Sequence, residues 1–594
     1  MDTVTLTIDG REVTVPKGTT VLQAAIASGI QVPYYCYHPG IGIEGSCRVC
    51  IVRVEKMGKL QTSCSTTVAD GMVVHTQSDE VIAARSGVFE LLLANHPLDC
   101  PVCDKGGECP LQDYSYSFGP DQSRMEFPRR VFDGEGARGD IDFGPTLMLN
   151  RQRCIMCTRC IRFMEVVDGD AQIGVAHRGY HSEIATFNDE GVHSPLSGNL
   201  ADVCPVGAIT AKDYRFKSRP WDNPNVVDTI CTQCSKGCNT NAWLKAKPEW
   251  AKASQLVRIT PRHNEAVNSY WMCDTGRYGF HWVEGETRLT APHVRTAGAL
   301  QEVPWADALR AAAAALTGTA RVLVSAHASH EELFLVRQIA DALGGASDVV
   351  SVGWRTSTKQ QSPTTTFRLP AVDAPNVNGA RAFGFVAGQV SDPQGPADLS
   401  ALRAAVDAGR VAALFVLDPG PAGSVGDTQW IVDARQTGRL GTLVVQAPVR
   451  SALTDAADVV LPGAAFIEKD ACYTNDQGRL QATSAALVPP GDARDDWRVL
   501  SELAQALGRD ARYASDHDVR AAIAAQYASA PALLGIATIA FSRPMSAETW
   551  LESSNPSERY KWETLYQDLP PVKGSVDPSA LPAAPGVIRL QEVK

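Results

Sequence analysis

The sequence predicts a multidomain protein, α+β in its N-terminal part and α/β towards its C-terminus. Three observations predict it. Fifteen of the sixteen cysteines lie between Cys36 and Cys273, in groups small enough to organise separate metal-bearing domains. The first residues alternate apolar and polar around a turn signal, as a β-rich unit does. Beyond about residue 284, Ala-rich helical stretches alternate with short apolar runs, the pattern of an α/β domain with a mostly parallel sheet.

Each element follows from local chemistry. Val4, Leu6 and Ile8 alternate, Asp9-Gly10 supplies a hairpin turn, and Val13 and Val15 resume the alternation. Thr20 caps a short helix, VLQAAIASG, which Gly29 closes. Residues 1–78 therefore form one unit. Residues 79–125 begin with an amphipathic helix, its apolar face at Val81, Ile82, Val88, Leu91 and Leu92, and its end delivers His96 towards the next cysteines. Residues 126–145 are polar and Gly-rich, a linker. Units at 146–220 and 221–283 hold the third and fourth cysteine groups. In 284–542, ARVLVSA, VAALFVL and TLVVQA are strands, and EELFLVRQIADALGG and ALRAAVDAG are helices. No G-x-G-x-x-G follows a strand there, so no dinucleotide fingerprint is present. Residues 543–594 are Pro-rich, an extended tail.

Composition excludes several functions. The 594 residues leave room for about four domains. The net charge of −11 argues against nucleic-acid binding. No signal-peptide h-region follows Met1, and no run of about eighteen apolar residues offers a membrane span. Clustered cysteines without an export signal point to metal binding in a reducing cytoplasm.

Four groups carry the chemistry. Cys36, Cys47, Cys50 and Cys64 combine one close pair with remote ligands in a Gly-rich loop, which favours a 2Fe-2S cluster over a zinc ribbon built from two close pairs. Cys100, Cys103 and Cys109 are one ligand short. His96 supplies it if it is more than an ordinary helix-end histidine; spacing leaves both open, and the count of nearby cysteines tips towards His96. Cys154, Cys157 and Cys160 with a remote Cys204-Pro205 form the most specific pattern, one 4Fe-4S cluster. Position 164 is Met164, so a second cluster in that unit is not expected. Cys231, Cys234, Cys238 and Cys273 also fit a 4Fe-4S cluster, with zinc a more credible rival here. Cys472 is expected to be a buried structural thiol. No catalytic residue is assigned.

With these residues in hand, the chain resembles the G subunit of bacterial NADH–quinone oxidoreductase, respiratory complex I. The segments PYYCYHPG, GSCRVC, HPLDCPVCDKGGECPLQD, RCIMCTRCIRF and DVCPVGAIT carry the resemblance. CTQCSKGC, CDTGRYGF and EKDACYTNDQGRLQ (468–481) are similar to motifs of the molybdopterin oxidoreductases. The resemblance implies an N-terminal β-grasp 2Fe-2S ferredoxin-like domain, a 4Fe-4S domain ligated by His96 and three cysteines, a ferredoxin-like 4Fe-4S domain, and a truncated molybdopterin-oxidoreductase-like α/β domain. It implies one 2Fe-2S and three 4Fe-4S clusters. Its partners would be a flavin-bearing NADH-oxidising subunit with its own 2Fe-2S partner, a ferredoxin-like 4Fe-4S subunit, and quinone-site subunits. The location would be peripheral, on the cytoplasmic face of the inner (plasma) membrane, with membrane contact only through partners. Electrons would pass from the first group to the Cys154 group and then to the His96 group, in a complex that couples their transfer to proton translocation. The Cys231 cluster would lie off that path.

The stretch after Cys273 is short for a complete molybdopterin-binding region, so no molybdenum is expected. A formate dehydrogenase would need a Cys or selenocysteine ligand after the fourth cluster, and an iron hydrogenase further cysteines. Neither pattern is present. A zinc-stabilised scaffold is the remaining alternative.

Overall fold

The structure is a computed structural model that describes residues 2–131, 139–223, 225–245, 254–345, 349–387 and 397–542. The tail expected over 543–594 and part of the expected linker lie outside the described residues. Two compact units contain the rest, the first from residues 2–223 and 362–366, the second from 225–361 and 367–542.

In the first unit, β1 (Thr3–Ile8) and β2 (Arg11–Pro16) pair antiparallel, closed by Asp9 and Gly10 at φ 49° and 80°. Both turn residues are left-handed, as a two-residue hairpin requires. Thr20 and Gln23 form a reciprocal capping box that starts α1 (Val21–Ala27). Strands β3 (Ile51–Val54), β4 (Gln61–Thr62) and β5 (Val73–His75) complete a sheet of order β2-β1-β5-β3-β4. Leu6, Ile8, Val13 and Val15 alternate inwards and meet Val21, Leu22 and Ala25 in one core. This is the expected β-grasp arrangement.

Next, α2 (Asp79–Ala94) departs from its expected face. Its buried residues are Val81, Arg85 and Phe89, while Leu91 is 78% exposed. Arg85 Nη2 donates to the carbonyls of Ile51 (3.0 Å) and Thr76 (3.3 Å), so backbone oxygens make an arginine the best occupant of that stripe. Then come α3 (Pro110–Phe118), β6 (Asp140–Asp142), β7 (Leu147–Asn150), α4 (Arg159–Phe163), β8 (Ile173–Ala176), β9 (Glu183–Thr186), α5 (Asn199–Val203) and β10 (Ile209–Ala211). Strand β6 falls inside the expected linker. Asp140 pins it by accepting from Asn150 (2.8 Å) and Arg215 (2.7 Å).

The second unit opens on an antiparallel meander, β11 (Asn225–Ile230), β12 (Asn239–Leu244) and β13 (Leu256–Pro261), followed by α6 (Asp274–Tyr278). Its α/β part runs β14 (His293–Thr296), β15 (Ala299–Glu302), α7 (Trp305–Ala315), β16 (Ala320–Ser325), α8 (His330–Ala342), β17 (Val350–Gly353), α9 (Val377–Ala382), α10 (Ser400–Asp407), β18 (Ala413–Leu417), α11 (Gln429–Gln436), β19 (Thr442–Ala447), α12 (Ala452–Ala456) and β20 (Val459–Pro462). The sheet order is β15-β14-β20-β19-β18-β16-β17, with β17, β16, β18, β19 and β20 parallel. The three expected strands are its centre, and Val322, Val324, Phe415, Leu417 and Val444 fill the core beneath α7 and α8. A hairpin of β21 (Ala471–Thr474) and β22 (Leu480–Thr483), then α13 (Asp496–Ala506) and α14 (Asp516–Gln526), complete it.

Candidate metal centres

The four sulfurs of the first group converge. Cys36 is hydrogen-bonded to Cys47 and Cys64, and Cys50 to Cys64. Those contacts hold Cys36 below the ordinary thiol range and bring Cys50 to about 7, while Cys47 and Cys64 are raised as the proton-keeping partners. Cys36, Cys50 and Cys64 are buried and Cys47 is half-buried. The loop reaches this shape through Gly45 (φ 75°) and Arg48 (φ 60°).

The third group converges equally. All four thiols, Cys154, Cys157, Cys160 and Cys204, line one pocket with Leu149, Ile184 and Val206, of about 340 Å3 including its open part. Met156 and Thr158 take left-handed backbone (φ 52° and 58°), which turns three successive sulfurs to one side. Burial and the neighbouring thiols push Cys154 up to about 12 and Cys157 to about 11. A buried thiol keeps its proton until a metal displaces it, so binding couples to proton release.

In the second group, Cys103 and Cys109 are buried and Cys100 is exposed. His96 follows α2 as expected. Its ring faces Arg153, Asp99 and Arg129, and Cys100 faces the same Arg153–Asp99 ion pair (2.9 Å). His96 Nδ1 is buried without a hydrogen-bond partner, and burial lowers the imidazole to about 4. The neutral ring is the form that binds a metal.

The fourth group lies in the second unit, where Cys231, Cys234, Cys238 and Cys273 are buried and mutually adjacent. Gly276 forms part of the cage wall: a Cβ there would stand 2.9 Å from Cys231 Sγ and 3.7 Å from Cys273 Sγ. The 468–481 motif packs on this loop. Asn475 Nδ2 donates to Lys236 O (3.1 Å) and Asp476 N to Ser235 O (2.8 Å).

One backbone device recurs. The amide two residues on donates to the cysteine sulfur at Cys47, Cys109, Cys154, Cys157, Cys231 and Cys234. Such N–H···S bonds stabilise negative charge on metal-bound sulfur. Among the described residues no group of three His, Cys, Asp or Glu side chains is gathered tightly enough for one metal ion.

The cages of the first unit are linked by residues whose roles the motifs did not disclose. Arg159 donates to Tyr37 O, and Arg162 to the carbonyls of Cys36, Ile41 (3.1 Å) and Gly42 (3.0 Å), joining the third group's helix to the first group's loop. Tyr35, fully buried, donates to Pro110 O (3.3 Å) and joins the first loop to the second. Cys109 Sγ lies 3.8 Å from Pro205 O, and a Cβ on Gly207 would stand 2.0 Å from Cys103 Sγ, so the second and third groups share a wall.

Serial small modules built around clustered, buried thiols define an iron–sulfur protein. Family models match four stretches: a 2Fe-2S iron-sulfur cluster binding domain matches 1–79, an NADH-ubiquinone oxidoreductase-G iron-sulfur binding region 85–124, the ferredoxin-like domain of NADH-quinone oxidoreductase subunit 3 144–210, and molybdopterin oxidoreductase 378–506. The chain is 32% identical over 623 residues to the mitochondrial 78 kDa subunit of NADH-ubiquinone oxidoreductase of Candida albicans, covering 87% of this chain and 84% of that one. It belongs to the family of those 78 kDa subunits and the NADH-quinone oxidoreductase G subunits. The G subunit of Streptomyces coelicolor is 41% identical, over 59% of this chain and 40% of that one; its counterpart in Rickettsia typhi is 37% identical, over 58% and 50%. The matches to these bacterial subunits thus span half of their length or less.

In an open parallel sheet ligands sit beyond the carboxyl ends of the strands, where the order reverses, here between β16 and β18. Polar side chains meet there. Ser325 Oγ and Ser424 Oγ bridge it at 2.8 Å, Asp418 accepts from Ser424, and the ring of His327 lies 2.7 Å from where a Gly420 Cβ would be. Cys472 is buried, as expected, behind a backbone bond to Glu331 (3.0 Å).

Proposed function

We propose that the chain carries one 2Fe-2S cluster on Cys36, Cys47, Cys50 and Cys64, and three 4Fe-4S clusters on His96/Cys100/Cys103/Cys109, Cys154/Cys157/Cys160/Cys204 and Cys231/Cys234/Cys238/Cys273. Its domains are 1–78, 79–125, 146–220, 221–283 and 284–542. As an iron–sulfur electron-transfer subunit of complex I it feeds electrons towards quinone, with no complete active site of its own. The observation that carries this is the contact of three sulfur cages within one compact unit.

Iron–sulfur clusters, when bound, supply reversible one-electron oxidation and reduction. The protein excludes water, donates N–H groups to sulfur and fixes the spacing between cages. The bridge of Arg159 and Arg162 supports passage from the first group to the third, and the wall at Pro205 and Gly207 supports passage on to the second. Electrons enter from a flavin-bearing NADH-oxidising subunit and its 2Fe-2S partner, and leave to a ferredoxin-like 4Fe-4S subunit beside the quinone-site subunits. No helix among the described residues is long and apolar enough to cross a membrane, which supports a peripheral place. That place is the cytoplasmic face of the inner membrane, reached through partners.

Iron and sulfide analysis of the purified chain, with EPR after stepwise reduction, tests this. Four resolvable cluster signals are expected. Zinc in place of iron and sulfide, with no EPR signal, would overturn it.

A further inference from the structure

Three buried guanidinium groups donate to the backbone that carries the first cage. Arg85 reaches it from α2, donating to Ile51 O, the residue after Cys50. Arg159 and Arg162 reach it from α4, donating to Tyr37 O and to the carbonyls of Cys36, Ile41 and Gly42. The exposures of Arg85, Arg159 and Arg162 are 1%, 6% and 8%. Each keeps a buried Nε without a hydrogen-bond partner.

Their charges lack close partners. Among the described residues Arg162 has only Glu44, at 3.7 Å and 39% exposed, and neither Arg85 nor Arg159 has an ion pair, Asp9 acting on Arg85 from beyond ion-pair distance. A buried cation without an anion costs several kcal/mol, so folds rarely keep one, still less three. Elsewhere in this unit the rule holds: Arg153 is paired with Asp99 and Arg215 with Asp140. Carbonyl oxygens satisfy donors but do not cancel charge. Arg85 faces Cys50 of the first cage as well as Asp9, Arg162 holds the backbone carbonyl of Cys36, and Arg159 stands between the first loop and Cys157 of the third cage, so the thiols, once deprotonated, are the nearest buried anions.

We propose that Arg85, Arg159 and Arg162 form a cationic frame that raises the reduction potential of the first centre, with Arg162 as its main positioning residue. The proposal rests on the assignment of Cys36, Cys47, Cys50 and Cys64 as cluster ligands. One-electron reduction adds one negative charge to the cage without making or breaking a bond. A fixed cation in a low-dielectric wall favours that charge and so favours the reduced form. Arg162 also stands two residues after Cys160, so the frame of the first centre is built by the third group's helix. The two centres are therefore tuned together.

The test is an anaerobic redox titration of the full chain, purified with its clusters and followed by EPR, in wild type, Arg162→Gln, Arg162→Lys and Arg85→Gln. Arg162→Gln is expected to lower the midpoint of the first centre, and Arg162→Lys, which keeps the charge but not the fork, to restore most of it. Arg85→Gln approaches from another helix and should shift the midpoint in the same direction. It decides the matter if Arg162→Gln loses its signal. Unchanged midpoints in the glutamine variants that retain full signals would overturn the frame. Absence of any two-iron signal in the wild type would instead overturn the ligand assignment.

Discussion

Cys109 Sγ lies 3.8 Å from the carbonyl oxygen of Pro205, the residue after Cys204. One turn, Cys204-Pro205-Val206-Gly207, thus contributes a thiol to the third cage and a wall to the second. The glycine at its end is required by space: a Cβ there would stand 2.0 Å from Cys103 Sγ. Gly207→Ala should therefore act across the wall. We expect the EPR signal of the His96 group to be lost or shifted while that of the Cys154 group persists, with overpacking costing about 1–3 kcal/mol in thermal unfolding. Equal damage to both signals would contradict a wall with two distinct faces.

Much of this was legible in the sequence, because cysteine ligands are mostly local. Three sulfurs at two-residue gaps, Cys154, Cys157 and Cys160, predict a cage from their spacing alone. Asp9-Gly10 and the Thr20–Gln23 box set the hairpin and the first helix for the same local reason. What stayed hidden depends on distant partners. Arg85 sits where an apolar pattern expects a hydrophobic residue, and only the carbonyls of Ile51 and Thr76 explain it. Arg162 meets Ile41 across some 120 positions, which no spacing rule reaches. The Gly-rich stretch 126–145 hides β6, because Asp140 gives no signal until Arg215 and Asn150 are beside it.

Acid stability of the second unit should depend on His330. Its Nε2 meets Thr474 Oγ1 at 2.8 Å, its Nδ1 is buried without a partner, and burial lowers it to about 3. The folded value lies below the ordinary 6.5, so the unfolded chain binds the extra proton between those values and stability is lost as pH falls. His330→Asn should remove about 3 kcal/mol of the stability difference between pH 7 and pH 4. Glu332, pushed up to about 7 by burial, contributes with the opposite sign, since its share is lost as pH rises through that value. Urea unfolding of both proteins at each pH isolates the histidine, and parallel pH profiles would refute its role.

Lys469, in the 468–481 motif, is buried between Glu332 and Asp496, its Nζ 2.6 Å from each carboxylate. Asp496 also accepts from Gln446 (2.8 Å), and Lys469 is 4% exposed. This network ties β21's approach to α8 and α13. Removing the lysine strands two carboxylates in the core, so Lys469→Met should cost about 3–5 kcal/mol by chemical denaturation. Adding Glu332→Gln should recover part of the loss, because one of the two buried acids that must take up a proton disappears with it. A cost below about 1 kcal/mol would mean that water reaches the cluster.

His96 offers the sharpest check on the ligand set. The imidazole is held neutral near pH 7, since burial and Arg153 lower it to about 4, and its buried Nδ1 has no protein partner. As a ligand, the neutral ring would leave the second centre one negative charge lighter than four thiolates, which would raise its reduction potential. His96→Cys restores that charge at the same position. We expect the cluster to persist with a lower midpoint in an EPR-monitored redox titration, and His96→Ala to lose it. Arg153 and Arg129 beside the ring would temper the shift by partly balancing the added thiolate. An unchanged midpoint in His96→Cys would place the fourth ligand elsewhere, because no other outcome of adding a charge to the cage is electrostatically neutral.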